Sequence, residues 1–152
     1  WFFKPKGINV ILDPKNKSWE HLFIHSNIIT PNLNELEVLS GIAISNNGSI
    51  LIACNKLIDE NNFDYVIAKK GDQGITIVGK QKFVKNIDPF NIEDPDVTGA
   101  GDTVIAALSI AYAKTNDIEF SSKFANAAAA NVVGKVGTAT ANIKQIKELL
   151  VK

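Results

Sequence analysis

An α/β fold with a largely parallel sheet is the class this chain predicts, and three observations predict it. Short apolar runs over residues 8–12, 27–30 and 65–68 alternate with segments of helical period, the pattern of strands joined by crossover helices. Each run ends in turn-forming residues: Asp13-Pro14, Pro31, and the Lys69 to Gly74 loop with its two glycines. With 45% hydrophobic and 21% charged residues in a chain of 152, the composition is that of one ordinary globular domain with a buried core.

In chain order, residues 1–6 read as the end of a helix stopped by Pro5 and Gly7. The strand over 8–12 enters the polar turn Asp13-Pro14-Lys15. Residues 18–25 are mixed in character and suit one helical turn. The strand over 27–30 halts at Pro31, and a short helix over 33–39 follows, capped by Asn32 and ended by Gly41. From 45 to 61 the chain is an amphipathic helix, because Ile50, Leu51, Cys54, Leu57 and Ile58 share one face. The strand over 65–68 leads into Lys69-Lys70-Gly71-Asp72-Gln73-Gly74. Residues 75–78 and 82–85 then pair as a hairpin about Gly79-Lys80-Gln81. A loop with two prolines, 86–98, precedes a helix over 99–114 that is apolar nearly all round and is therefore expected to be buried on most sides. An alanine-rich helix over 119–135 and a third helix over 143–150 complete the chain.

No repeat, low-complexity segment or linker interrupts this order, so residues 1–152 are expected to form a single domain. The chain has no methionine and opens on Trp1-Phe2-Phe3 as if in mid-element, so a piece of a longer protein, and hence a partial domain, is expected.

Charge and cysteine content exclude several classes of function. Net charge is zero, so no basic surface argues for nucleic acid or an anionic membrane. All 16 basic residues are lysines, so no bidentate guanidinium can hold a phosphate; any anion must rest on backbone amides and lysines. The single cysteine, Cys54, excludes an internal disulfide and a multi-cysteine zinc site. Its place on an apolar helical face makes it a core residue, and a reducing cytoplasm is the compartment that fits. No signal peptide is evident, and no apolar run reaches the roughly 20 residues needed to span a bilayer.

The chemistry concentrates in Asp96-Val97-Thr98-Gly99-Ala100-Gly101-Asp102. Two glycines flank an alanine where a helix begins. The unpartnered amides and the helix dipole there make a cradle for phosphate oxygens. Asp102 puts a carboxylate at its rim, and a phosphate site with a carboxylate beside it suggests phosphoryl transfer. The plainer alternatives are a close-packed helix start and a first-turn acid that complements the dipole. Asn32 and Glu35, three apart at a strand-to-helix junction, are explained locally by a capping box; the alternative is a hydrated magnesium ion. Gly71 and Gly74 with Lys69 and Lys70 read either as a turn with a solvated lysine pair or as a ligand loop. His21 and His25 lack the acids or cysteines that would make them metal ligands.

The segment Asp96 to Asp102 resembles the signature of the ribokinase-like (PfkB) carbohydrate kinases. Thr30-Pro31-Asn32 with Glu35 is similar to the family's Asn-x-x-Glu motif, and Lys70-Gly71-Asp72-Gln73-Gly74 to its nucleotide-binding glycine loop. Asp13-Pro14-Lys15, Asp102-Thr103-Val104-Ile105-Ala106, and residues 125–129 and 133–138 most resemble the kinase domain of D-glycero-β-D-manno-heptose-7-phosphate kinases, which occur alone or fused to an adenylyltransferase.

That resemblance implies the carboxyl-terminal half of a three-layer sandwich, a mostly parallel sheet flanked by helices. It implies ATP and Mg2+ as cofactors and a sugar phosphate as the small-molecule partner, and it leaves a homodimer open. Asp102 would take the proton of the sugar hydroxyl, and the amides of Gly99, Ala100 and Gly101 would form the anion hole. Asn32 and Glu35 would organise magnesium and phosphate. Lys70, Gly71 and Gly74 would lie near the nucleotide, and Asn126 would border the adenine pocket. Two departures stand out: Lys69 occupies a place the family often gives to threonine, and the half that supplies most of the sugar pocket and a lid is missing. The resemblance thus implies heptose 1,7-bisphosphate synthesis for ADP-heptose and lipopolysaccharide, by a phosphotransferase inactive as this piece alone. The alternatives are another ribokinase-like sugar or nucleoside kinase, or a nucleotide-binding module without catalysis.

Overall fold

The computed structural model describes residues 8–15, 17–90, 92, 99–133 and 140–151. The helix end expected over 1–6, and the Asp96-Val97-Thr98 part of the glycine motif, lie outside the described residues. The chain separates into two compact units, Trp1–Gly71 with Ile75–Asn86, and Asp72–Gly74 with Ile87–Lys152.

The first unit holds all but the last residue of a five-stranded sheet in sequential order, β1 (Ile11–Leu12), β2 (Ile28–Ile29), β3 (Tyr65–Lys69), β4 (Ile75–Gly79) and β5 (Phe83–Ile87). Ile11 lies opposite Ile28 and Ile28 opposite Tyr65 in parallel register, whereas β4 runs antiparallel to β3, with Val66 opposite Val78 and Ile67 opposite Ile77. The connection from β4 to β5 is too short for a crossover, so β5 returns antiparallel. The sheet is therefore mixed: parallel over its first three strands, with the expected hairpin at the far edge.

β1 and β2 are shorter than their apolar runs, and at their amino ends a side chain joins the main-chain bonds. Asn27 Oδ1 accepts the Val10 N–H at 3.1 Å, and Asn27 Nδ2 donates to Asp64 Oδ2 at 3.0 Å. One asparagine thus ties the amino ends of three strands together. Between β1 and β2, where the sequence suggests one turn, a 3-10 helix runs over Lys17–His25.

Helix α1 (Leu33–Ser40) and helix α2 (Asn47–Asn61) begin and end on local signals. Gly41 closes α1 in the left-handed conformation, its N–H donating to Glu37 O, and Asn46 and Ser49 form the capping box of α2. Their apolar faces pack on one side of the sheet in a core that includes Leu36, Ile50, Cys54, Leu57, Val66 and Val78. Phe23 and Phe63 meet edge to face there, centroids 5.5 Å apart. Cys54 is fully buried, and desolvation pushes its thiol up to about 12, so it is inert packing. Ile67 and Ile77, register partners on the opposite face, are equally buried, as befits a sheet that does not leave one side to water.

The second unit is helical: α3 (Ala100–Thr115), α4 (Ile118–Val133) and α5 (Ile143–Leu150). Asp117 Oδ1 starts α4 by accepting the Phe120 N–H at 2.9 Å. Small residues, Ser121, Ser122, Ala125 and Ala128 among them, are buried along α4 and let its neighbours approach, and Ile146 of α5 seats on Ala127 and Ala128. The expectation that α3 is buried on most sides is corrected. Only the stripe Val104, Leu108 and Ala111 is buried, and Ile110 is 67% exposed. α3 packs along α4, and one long neighbour covers one stripe of a helix. No helix among the described residues is long and apolar enough to cross a membrane.

Candidate functional site

In the first unit, polar side chains gather at the carboxyl ends of the parallel strands. Asp13 directly follows β1, Thr30 directly follows β2, and Lys69 is the last residue of β3. Loops that leave the same end of a parallel sheet are brought together by the sheet itself, and open α/β sheets bind ligands there. Asp13 is buried, 8% exposed; its Oδ1 accepts from Thr30 Oγ1 at 2.9 Å and Lys69 Nζ at 2.5 Å, and its Oδ2 from Lys15 Nζ at 2.8 Å. Burial alone would raise its carboxyl. The hydrogen bonds from Lys15 and Lys69, the Lys69 charge and the Thr30 hydroxyl outweigh that and hold it below its ordinary value. Lys69 is therefore not one of a solvated lysine pair, as its sequence neighbourhood suggests, but a half-buried partner of a residue 56 positions away.

The start of α1 lies against this cluster. Lys69 N–H donates to Pro31 O at 2.8 Å, and Asn32 bridges to Lys69 in parallel. Both arms of the capping box are made: Asn32 Oδ1 accepts the Glu35 N–H at 2.8 Å, and Glu35 Oε2 accepts the Asn32 N–H at 2.7 Å. The pair thus fixes the first turn of α1. An ionised carboxylate has roughly four acceptor positions, so one N–H contact leaves Glu35 with acceptor capacity. Lys70 is half-buried and Gly71 exposed, and Gly71–Gln73 forms a single 3-10 turn.

In the second unit, the structure brings Gly74 and Asn126 to one backbone segment. A Cβ on Gly74 would stand 2.1 Å from Ile87 O, and Asn126 Nδ2 donates to Asp88 O at 2.9 Å. Asn126 therefore ties α4 to the chain that leaves β5. Gly99 is the N-cap of α3 with φ +77°, a conformation only glycine adopts freely, and it supplies no side-chain acceptor for the first-turn amides. Ala100 and Gly101 open the helix, and Asp102 is exposed in its first turn. Thr103 Oγ1 donates to Gly99 O at 3.0 Å, which pins the turn from behind.

Residues 2–145 match the pfkB family carbohydrate kinase model. The chain belongs to that family. It is 40% identical over 146 residues to the bifunctional protein HldE of Campylobacter curvus, and 34% identical over 147 residues to that of Shewanella baltica, matches that take in 94% and 97% of this chain. The chain spans 30% of the length of each of these relatives. Among solved structures it is similar to an Arabidopsis thaliana ribokinase complexed with ribose and ATP, at 27% identity and a TM-score of 0.88, covering 97% of this chain and 49% of the ribokinase. The fold is thus ribokinase-like, a mixed sheet flanked by helices.

Asp13, Thr30 and Lys69 belong to three separate stretches that the sequence marks one by one, and their union as a cluster is not legible there. Each had a sequence signal, its position immediately at the end of an apolar strand, but their pairing needed the parallel order of β1, β2 and β3.

Proposed function

We propose that the protein is an ATP-dependent sugar kinase that phosphorylates the anomeric hydroxyl of D-glycero-β-D-manno-heptose 7-phosphate, giving the 1,7-bisphosphate. The observation that carries this is the α3 start, a left-handed Gly99 cap without a side-chain acceptor and an exposed Asp102 in the first turn, within a chain of the pfkB family. Asp102 accepts the hydroxyl proton as that oxygen bonds to the γ-phosphorus and the bond to the ADP oxygen breaks. The loose transition state of phosphoryl transfer asks chiefly for positioning and charge stabilisation, which the amides of Gly99, Ala100 and Gly101 supply in this reading. Lys70, Gly71, Gly74 and Asn126 face the nucleotide in this reading.

Magnesium belongs to the same reading: Glu35 has acceptor capacity beyond the Asn32 N–H, and Mg2+ bound with nucleotide phosphates keeps most of its waters and needs one or two carboxylates. Glu35, with Asn32 fixing its turn, would hold that hydrated ion, whose charge offsets that of the phosphates. The heptose acceptor rests on the resemblance of Asp13-Pro14-Lys15 and residues 125–138 to heptose-7-phosphate kinases, and on the identity to the HldE proteins. An adenylyltransferase in the parent protein, supply of ADP-heptose and a cytoplasmic site of action belong to the same proposal.

In the full-length protein, Asp102→Asn should retain ATP binding and lose about 100-fold or more in kcat, measured by coupled ADP release. Unchanged turnover would remove Asp102 from the base role. The likeness to ribokinase favours a second reading, a kinase for an unphosphorylated sugar. Ribose consumed faster than heptose 7-phosphate in the same assay would establish that reading instead.

A further inference from the structure

The cluster around Asp13 is not used by the chemistry above, and its construction asks for an explanation. A buried ion pair is a weak stabiliser, since desolvation of two charges offsets most of their attraction. Here one buried carboxylate is given two ammonium groups and a hydroxyl, at the end of the sheet where ligands bind. The geometry points to Asp13 as a positioning residue that sets Lys69, with Lys15 on its outer side, to grip a phosphate group of a substrate. This rests on the kinase reading and adds to it residues that the glycine motif does not include.

Four observations support it. Lys69 is held where lysine is usually loose: its side chain is 15% exposed, against 51% for Lys15, and Thr30 fixes the carboxylate that fixes Lys69. Among the described residues the Lys69 ammonium has one acceptor, Asp13 Oδ1, so donors remain for an incoming oxygen. The main chain of Lys69 is anchored to Pro31 O beside Asn32, so the base of this side chain is fixed to the start of α1. Finally, the chain has no arginine, so a fixed lysine is the strongest anion ligand it can offer from a side chain. Asp13 supplies what lysine lacks on its own, a set direction.

Two substrates of the proposed reaction carry phosphate, the nucleotide and the sugar phosphate, and steady-state kinetics of the full-length protein separate them. Lys69→Met should raise the KM for one of the two by about tenfold or more, with kcat and the other KM nearly unchanged; which KM moves identifies the source. Lys69→Arg should restore most of the affinity, because it keeps a cation for the phosphate. Asp13→Asn should raise the same KM, and Asp13→Asn with Lys69→Met should be no worse than Lys69→Met alone. The double variant buries no unpaired charge and guards against a single variant that fails to fold. Both KM values unchanged in the folded double variant would overturn the inference while leaving the kinase reading intact. Wild-type protein that phosphorylates no sugar would overturn both.

Discussion

Asp13 lies in Asp13-Pro14-Lys15, a stretch that reads as a polar turn, yet its buried carboxylate accepts from two lysines and a threonine. Its partners are 2, 17 and 56 positions away, so no window of sequence contains them all. The pH dependence follows from the sign of its shift. Its native carboxyl titrates below the ordinary value, so the native state keeps the charge to lower pH than the unfolded chain, where aspartate titrates near about 3.9. The stabilisation is complete above that pH and is lost as pH falls through the native value. Urea midpoints of the wild type should therefore decline between pH 5 and pH 3. Asp13→Asn should start lower at pH 7 and decline less; an equal decline would place the acid sensitivity in other carboxylates. Cys54 went the other way, legible from its apolar face alone, because helical periodicity already decides burial.

At the scale of elements, boundaries set by local chemistry were readable and those set by partners were not. Asn32, Glu35 and Gly41 mark α1 to within a residue because caps are made by near neighbours. The pairing of Asn27 with Val10 and Asp64, and the packing of α3 along α4, depended on contacts that no single periodic stretch contains. Glycines divide in the same manner. Gly71 and Gly74 both have positive φ, at 63° and 79°, but a Cβ on Gly71 would meet nothing within 4 Å, whereas on Gly74 it would strike Ile87 O, Pro89 N and Asp88 C. Gly71→Ala should thus cost only the backbone term of about 1–2 kcal/mol. Gly74→Ala should cost clearly more, with a lower thermal midpoint, because backbone cannot retreat as a flexible side chain can. Equal midpoints for the two variants would contradict the close approach at 87–89.

At the scale of the whole molecule, the chain spans 30% of the HldE relatives and 49% of the Arabidopsis ribokinase, so activity belongs to a longer protein in our proposal. The resemblance to the ribokinase-like kinases assigns most of the sugar pocket to the other half of the fold, and an open site does not exclude water from the reacting groups. The 152-residue chain by itself should therefore release no ADP in the presence of heptose 7-phosphate and ATP, while the full-length protein does. Sugar phosphorylation by the chain alone would show that this half suffices.

The sequence by itself determined the α/β class, the order of its elements, the caps of α1, the buried cysteine and the family, because periodicity, capping and motif spacing are all short-range. Tertiary structure alone decided the mixed sheet order, the single buried stripe of α3 and the union of Asp13, Thr30, Lys15 and Lys69. Parallel strands place distant residues at one edge, and only the register of the sheet says which of them meet.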